Sequence, residues 1–188
     1  MKRILFWVNC YGGWAPEERH PIETIGYSQY LDGVVSAILP ISNHVDVIWV
    51  SGAMIDSQGR LESETTAAEI SRRLDRQGIS IEIKTDSESI TSMSIARKFL
   101  HTWHSEFPDH IGLLTCDQVR YESNMWMLTD LAQQENIEIP TAREILIPLH
   151  RVDIHPNSTP EKQAEKLALM REKGIAWVEA EEIKARQG

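Results

Sequence analysis

The sequence predicts an α/β fold, a three-layer Rossmann-like sandwich built on a mostly parallel sheet of about five strands. Three observations carry this expectation. Short, nearly continuous apolar runs recur along the chain, as strands buried on both faces require. Segments with apolar residues at helical spacing separate them. Loops rich in Gly, Ser, Thr, Asn and Asp follow the runs.

Ile4 to Val8 is the first run, and it ends in the turn-rich Asn9-Cys10-Tyr11-Gly12-Gly13-Trp14-Ala15-Pro16. Tyr27 to Leu39 carries Tyr30, Leu31, Val34, Val35 and Ile38 at helical spacing, and Pro40 closes it. Val45 to Val50 is the second strand, with a turn at Ser51-Gly52. A helix opens at Ser63-Glu64-Thr65-Thr66 and runs through Leu74, with Gly78 as its stop. Ile79 to Ile83 reads as the third strand, Ser92 to Trp103 as a helix, and Ile111 to Leu114 as the fourth strand. A helix over Tyr121 to Gln134 follows, then a fifth strand at Ile137 to Ile139 or at Ile145 to Leu149. The tail predicts a helix over Thr159 to Lys173 capped by Gly174, a short strand over Ile175 to Val178 and a last helical turn or two. No repeat, low-complexity segment or long linker divides the chain, so one domain over 1–188 is expected.

Composition narrows the function classes. The 188 residues carry a formal net charge of −9, which repels phosphate backbones and anionic lipid. Nucleic acid and membrane surfaces are therefore poor partners, and a small-molecule ligand is the natural one; a homo-oligomer stays open. The apolar start ends at Asn9, too early for a signal peptide, and no stretch reaches the roughly 18 apolar residues of a spanning helix. Cys10 and Cys116 are too few for a disulfide framework or a zinc ribbon. A cytoplasmic location is expected.

In open parallel sheets ligands bind beyond the carboxyl ends of the strands. That rule selects the loops Asn9 to Trp14, Ser51 to Asp56, Thr85 to Ser92 and Thr115 to Arg120. Their small polar residues suit an anionic or hydroxylated group at helix N-termini, although ordinary helix caps have the same composition. The glycine fingerprints of dinucleotide and P-loop sites are missing, as is the G-x-S-x-G elbow. Cys10 and Cys116 follow strands without a His beside them in sequence and read as buried, inert thiols. His101 and His104 read as surface histidines, and His150, Asp153 and His155 as a polar loop rather than a metal site. Glu17 to His20 is either a solvated turn or a lid, and Trp14 either packs or stacks on a ligand ring.

The loops also show an ordered set of motifs. They are Gly12-Gly13, Val50-Ser51-Gly52-Ala53, Ser63-Glu64, the run from Asp86 through Ser89, Thr91, Ser92 and Ser94 to Ala96, and Leu114-Thr115-Cys116-Asp117-Gln118-Val119-Arg120. In order and spacing they resemble the YdcF-like family (the SanA, ElyC and YdcF type), a domain of unknown function. The resemblance covers roughly residues 3 to 140 and leaves 141–188 as a C-terminal extension. Two places depart from the family pattern. Ser94-Ile95 stands where the family has Glu-Asn, and Val119 and Glu122 stand where it has His and Arg, with Arg120 displaced by two.

The resemblance implies a small-molecule-binding protein whose ligand is S-adenosylmethionine or another nucleotide-like molecule. Gly12, Gly13, Ser51, Gly52, Ser89, Ser92, Thr115, Asp117 and Arg120 would form the binding site. Asp117 or Asp86 would accept from a ribose hydroxyl or an amino group, and Arg120 would balance an anionic substituent. Asp117 and Glu64 are the carboxyl groups to consider for acid–base chemistry. Two alternatives stand beside this. One is a non-catalytic regulatory or interaction domain with a degenerate site. The other is a metal-dependent hydrolase of phosphate or glycosyl-type substrates using Asp117, Asp86 and Asp56.

Overall fold

The computed structural model describes residues 2–10, 13–150 and 159–187. In chain order the elements are β1 (Ile4–Asn9), α1 (Pro21–Ile38), β2 (Val45–Ser51), α2 (Glu62–Asp75), β3 (Glu82–Asp86) and α3 (Ser92–Glu106). They continue with β4 (Ile111–Asp117), α4 (Tyr121–Gln134), α5 (Ala142–Ile145), β5 (Leu146–Leu149), α6 (Pro160–Lys173) and α7 (Ile175–Gln187). All strand pairs are parallel, in the order β3-β2-β1-β4-β5. The chain builds outward from β1 to β3 and then crosses back to place β4 on the other side of β1. The topological switch point therefore lies between β1 and β4.

Period-two alternation divides β1 between two cores. Ile4, Phe6 and Val8 face α1 and α2, together with Ile48, Val50, Tyr30, Leu31, Val34 and Ile70. Leu5 and Trp7 face the other helices, together with Phe99, Leu114, Leu128, Leu131 and Met170. Helices thus cover both faces, which is the three-layer Rossmann-like sandwich. β3 is an edge strand, and its Glu82 and Lys84 are tolerated because one side of it meets no further strand.

Several boundaries differ from those the sequence suggests. α1 begins at Pro21 rather than Tyr27, because Pro21 takes the first helical position and the His20 side chain accepts from the Ile22 N–H. β3 is Glu82–Asp86, not Ile79 to Ile83. Gly78 (φ 71°) closes the turn after α2, and Ile79 and Ile81 pack against the core without pairing. β4 runs past Leu114 to Asp117, because Thr115, Cys116 and Asp117 pair with Ile147, Pro148 and Leu149. Of the two fifth-strand candidates, the later one forms β5, while Ile137 and Ile139 pack half-buried against the core. The strand expected over Ile175 to Val178 is instead the start of α7. Its buried Ile175 and Val178 are spaced three apart, as on one helix face, and so short an apolar run fits either period. The helix over Tyr121 to Gln134 and the stop at Gly174 (φ 81°) stand as read. Among the described residues, no helix is long and apolar enough to cross a membrane.

A close approach also fixes Gly112 in β4. A Cβ there would stand 2.4 Å from Cδ2 of Trp103, whose indole donates to the His110 carbonyl at 3.0 Å. Gly112→Val forces that ring to move, and overpacking of this kind costs about 1–3 kcal/mol. The expected result is a lower urea midpoint with an unchanged m-value, measured by equilibrium unfolding.

Candidate functional site

The strand register assembles the site. Asn9 of β1 lies opposite Ser51 of β2, which lies opposite Asp86 of β3. Residues paired across parallel strands point to the same face, so these three form one polar row at the carboxyl edge of the sheet. One pleat earlier, Trp7, Trp49 and Lys84 form an aromatic row. The two indoles stack at 5.0 Å and 4°, and the Lys84 ammonium lies 5.7 Å from the Trp49 ring centroid.

The rows are tied together. Trp7 Nε1 donates to Ser51 Oγ at 2.7 Å, and Ser51 Oγ donates to Asp86 Oδ2 at 2.9 Å. The other Asp86 oxygen accepts from the backbone N–H groups of Glu88 and Ser89, which shapes the loop after β3. Ala53 N–H donates to the Ser89 carbonyl, which ties the loop after β2 to the loop after β3. Across the switch point, Thr115 Oγ1 accepts from Asn9 N–H at 3.2 Å and shares a 2.7 Å hydrogen bond with the Tyr30 hydroxyl. Asp117, fully buried, accepts from Val119 N–H at 2.9 Å and from Arg120 Nη1 at 3.0 Å.

The first turn of α2 presses on this edge. A Cβ on Gly52 would stand 2.3 Å from Glu62 Oε1, and one on Gly13 would stand 2.9 Å from Glu62 Cα. Both glycines thus admit α2, a packing requirement that turn composition alone does not reveal. Glu62 is buried beside them, whereas Glu64 faces solvent. Among the described residues, the buried Asn9 Oδ1 and Ser63 Oγ have no hydrogen-bond partner. Asn9 is 2% exposed and Ser63 0%.

Sequence reasoning placed Ser51, Gly52, Ser89, Thr115, Asp117 and Arg120 at this edge, and all lie there; Gly12 falls outside the described residues. Ser92 opens α3, but the N-terminus of that helix is already satisfied. Thr91 and Ser94 form a capping box, and Glu182 of α7 accepts from Met93 N–H at 3.2 Å. Sequence reasoning missed Asn9, Glu62 and Tyr30 as individual site residues. Glu62 was legible in principle, because the buried stripe Leu74, Ile70, Ala67, Thr66, Ser63 runs back to it at helical spacing.

The remaining candidates disperse. Asp56 is held by Arg60 within its own turn, Asp86 by Ser51 and Asp117 by Arg120. Among the described residues, no group of three His, Cys, Asp or Glu side chains is placed to hold a metal ion. Glu17 pairs with Arg60 and Glu18 with Ser57, which ties the segment after Gly13 to the 56–60 turn. Trp14 packs on Tyr27 at 6.1 Å with the Arg73 guanidinium 5.4 Å from its ring centroid. His101 is exposed and pairs with Glu135, His104 and His150 are exposed, and Asp153 and His155 lie outside the described residues.

The thiols sit on opposite faces of the sheet, Cys10 against α1 and α2, and Cys116 against α3 and α4. Burial, with Glu62 nearby, pushes the Cys10 thiol far up, and burial beside Asp117 pushes Cys116 up to about 12. Neither is a thiolate near neutral pH, so neither is an activated nucleophile. The site offers oxygen acceptors (Asn9 Oδ1, Asp86, Asp117) and hydroxyls rather than a phosphate cradle. Such a surface suits ligand hydroxyl and amino groups. In comparison with known proteins, no family model, curated protein or solved structure matches the chain.

The raised thiols make alkaline stability directional. Both stay protonated in the folded chain above pH 9, the ordinary thiol value, where the unfolded chain begins to lose its protons. Their contribution is therefore present below about pH 9 and lost as pH rises toward 12. Urea midpoints measured from pH 7 to 10 should fall above pH 9, and Cys116→Ala should shallow that fall.

Proposed function

We propose that the chain binds a small nucleoside-like molecule, with S-adenosylmethionine the first candidate, across the carboxyl ends of β1, β2 and β4. The observation that carries this reading is that, among the described residues, the buried Asn9 Oδ1 and Ser63 Oγ have no hydrogen-bond partner, beside the Asn9-Ser51-Asp86 row. A buried polar group normally finds a partner, and a ligand donor fills that role for each. Acceptors at Asn9, Asp86 and Asp117 suit ribose hydroxyls and an amino group, and Arg120 at the edge suits a carboxylate. Met54 and Ile90, exposed on the loops after β2 and β3, add apolar surface for a ring. Membership of the YdcF-like family and a cytoplasmic location belong to the same proposal; the ordered loop motifs support the first, and two unlinked cysteines support the second.

Two observations favour a second reading, a regulatory domain whose site no longer turns over substrate. Glu182 fills the α3 N-terminus that a ligand carboxylate would otherwise use, and Glu64 points away from the row.

A thermal-shift screen against S-adenosylmethionine, S-adenosylhomocysteine, nucleotides, nucleotide sugars and divalent metals separates the two. A ligand at one hundred times its Kd adds about 2.7 kcal/mol, a rise on the order of 5–10 °C for a domain of this size. Asn9→Ala and Ser63→Ala each remove an atom without a partner among the described residues, so the unliganded Tm should hold while the ligand shift disappears. A flat response from well-folded protein overturns the binding proposal in favour of the regulatory reading.

A further inference from the structure

A concavity lies away from the strand ends. It is a groove of about 980 Å³ between the outer face of α4, the segment leading into α5, and α6. Met125 and Trp126 of α4 form one wall, and Ile137 and Ile139 form the other. All four are half-buried and pack inward against the core, so their apolar surface is sunk in the groove. Arg143 of α5 and Arg171 in the last turn of α6 border it, both exposed. Arg3, Arg60, Arg72, Arg73, Arg97 and Arg120 all have carboxylate partners. Among the described residues Arg143 and Arg171 have neither an ion pair nor a hydrogen bond, in a chain whose net charge is −9.

We infer that this groove binds a small amphipathic carboxylate, with its aromatic or alkyl body on Met125, Trp126, Ile137 and Ile139 and its anionic end at Arg143 and Arg171. The volume is that of a small-molecule site. Guanidinium groups favour carboxylates through paired, charge-assisted hydrogen bonds. Two acidic residues, Glu122 and Glu138, also line the groove, and neither forms an ion pair with Arg143 or Arg171. Glu122 is exposed in the first turn of α4. Glu138 is exposed at the rim and forms no ion pair with either arginine. A protein partner fits less well. Interface hot spots are projecting apolar anchors, whereas the apolar groups here are half-buried and packed against the core.

The test is calorimetric titration of the full chain with decanoate, and with decanol as the uncharged control. Decanoate should bind, decanol should bind at least tenfold more weakly, and the double variant Arg143→Gln/Arg171→Gln should lose at least tenfold in decanoate affinity. The arginines are exposed, so circular dichroism and Tm should confirm an intact fold in that variant. Asn9→Ala should leave decanoate binding unchanged, which separates this groove from the strand-end site. Absence of decanoate binding to folded protein, equal binding of decanol, or full affinity in the double variant would overturn the inference. So would a dimer, seen by sedimentation velocity, that the double variant disperses while decanoate has no effect; that outcome assigns the groove to a second copy of the chain.

Discussion

Parallel pairing in register across β1, β2 and β3 is the constraint on which the candidate site depends. It puts Asn9, Ser51 and Asp86 in one row on one face, with Trp7, Trp49 and Lys84 in the row beneath. A slip of one residue in any strand would turn its members to the opposite core. Ser51 is the hinge of this arrangement, because its hydroxyl accepts from the Trp7 indole and donates to Asp86. Ser51 is 0% exposed, so the Trp7 indole N–H and Asp86 Oδ2 rely on its hydroxyl in a place water does not reach. The aromatic floor and the polar edge are therefore one unit. The edge takes its shape from the hydrophobic packing below it.

The α1/α2 side of the sheet closes on the same edge by close approach. Glu62 sits where a side chain on Gly52 would be, and Thr65 Oγ1 lies 2.8 Å from where one on Gly13 would be. Tyr27 and Tyr30 of α1 reach the same level, with hydroxyls on Thr66 and Thr115. Their rings stack at 6.0 Å, and the Arg19 guanidinium lies 4.7 Å from the Tyr27 ring centroid while donating to the Gly13 carbonyl. This packing surrounds Cys10 and keeps its thiol protonated. The chemistry at the edge is consequently that of fixed hydrogen-bonding groups.

On the opposite side, α7 joins the C-terminal helices to the site. Arg97 of α3 pairs with Glu179 of α7 and Glu135 after α4, and Glu182 accepts from the α3 N-terminus. These contacts are partly exposed, so each contributes little stability alone; their value is in fixing where α7 lies. The same helical layer leaves the α4 groove open beside α6. The two proposed sites thus differ in chemistry as well as in place. One presents acceptors at the switch point, and the other presents an apolar trough with two guanidinium groups.

The sequence by itself determined the layer architecture and the four polar loops. Continuous apolar runs such as Ile4 to Val8 alternate with helical spacing such as Tyr30, Leu31, Val34 and Val35, and that pattern needs no tertiary information. It also placed Ser51, Gly52, Thr115 and Asp117 at the sheet edge, because polar residues directly after a buried run have nowhere else to go. Tertiary structure alone decided where short apolar runs went. Ile79 to Ile83 and Ile175 to Val178 look like strands, yet pairing on the edge of β2 selected Glu82–Asp86, and packing against α6 selected a helix. It alone decided that Glu62 rather than Glu64 meets Gly52, since a helix's rotation about its axis is set by what it packs on. It alone also isolated Asn9 Oδ1 and Ser63 Oγ and left Arg143 and Arg171 bordering one groove. Hydrogen-bond satisfaction and surface concavity are properties of neighbours distant in sequence, and no local pattern encodes them.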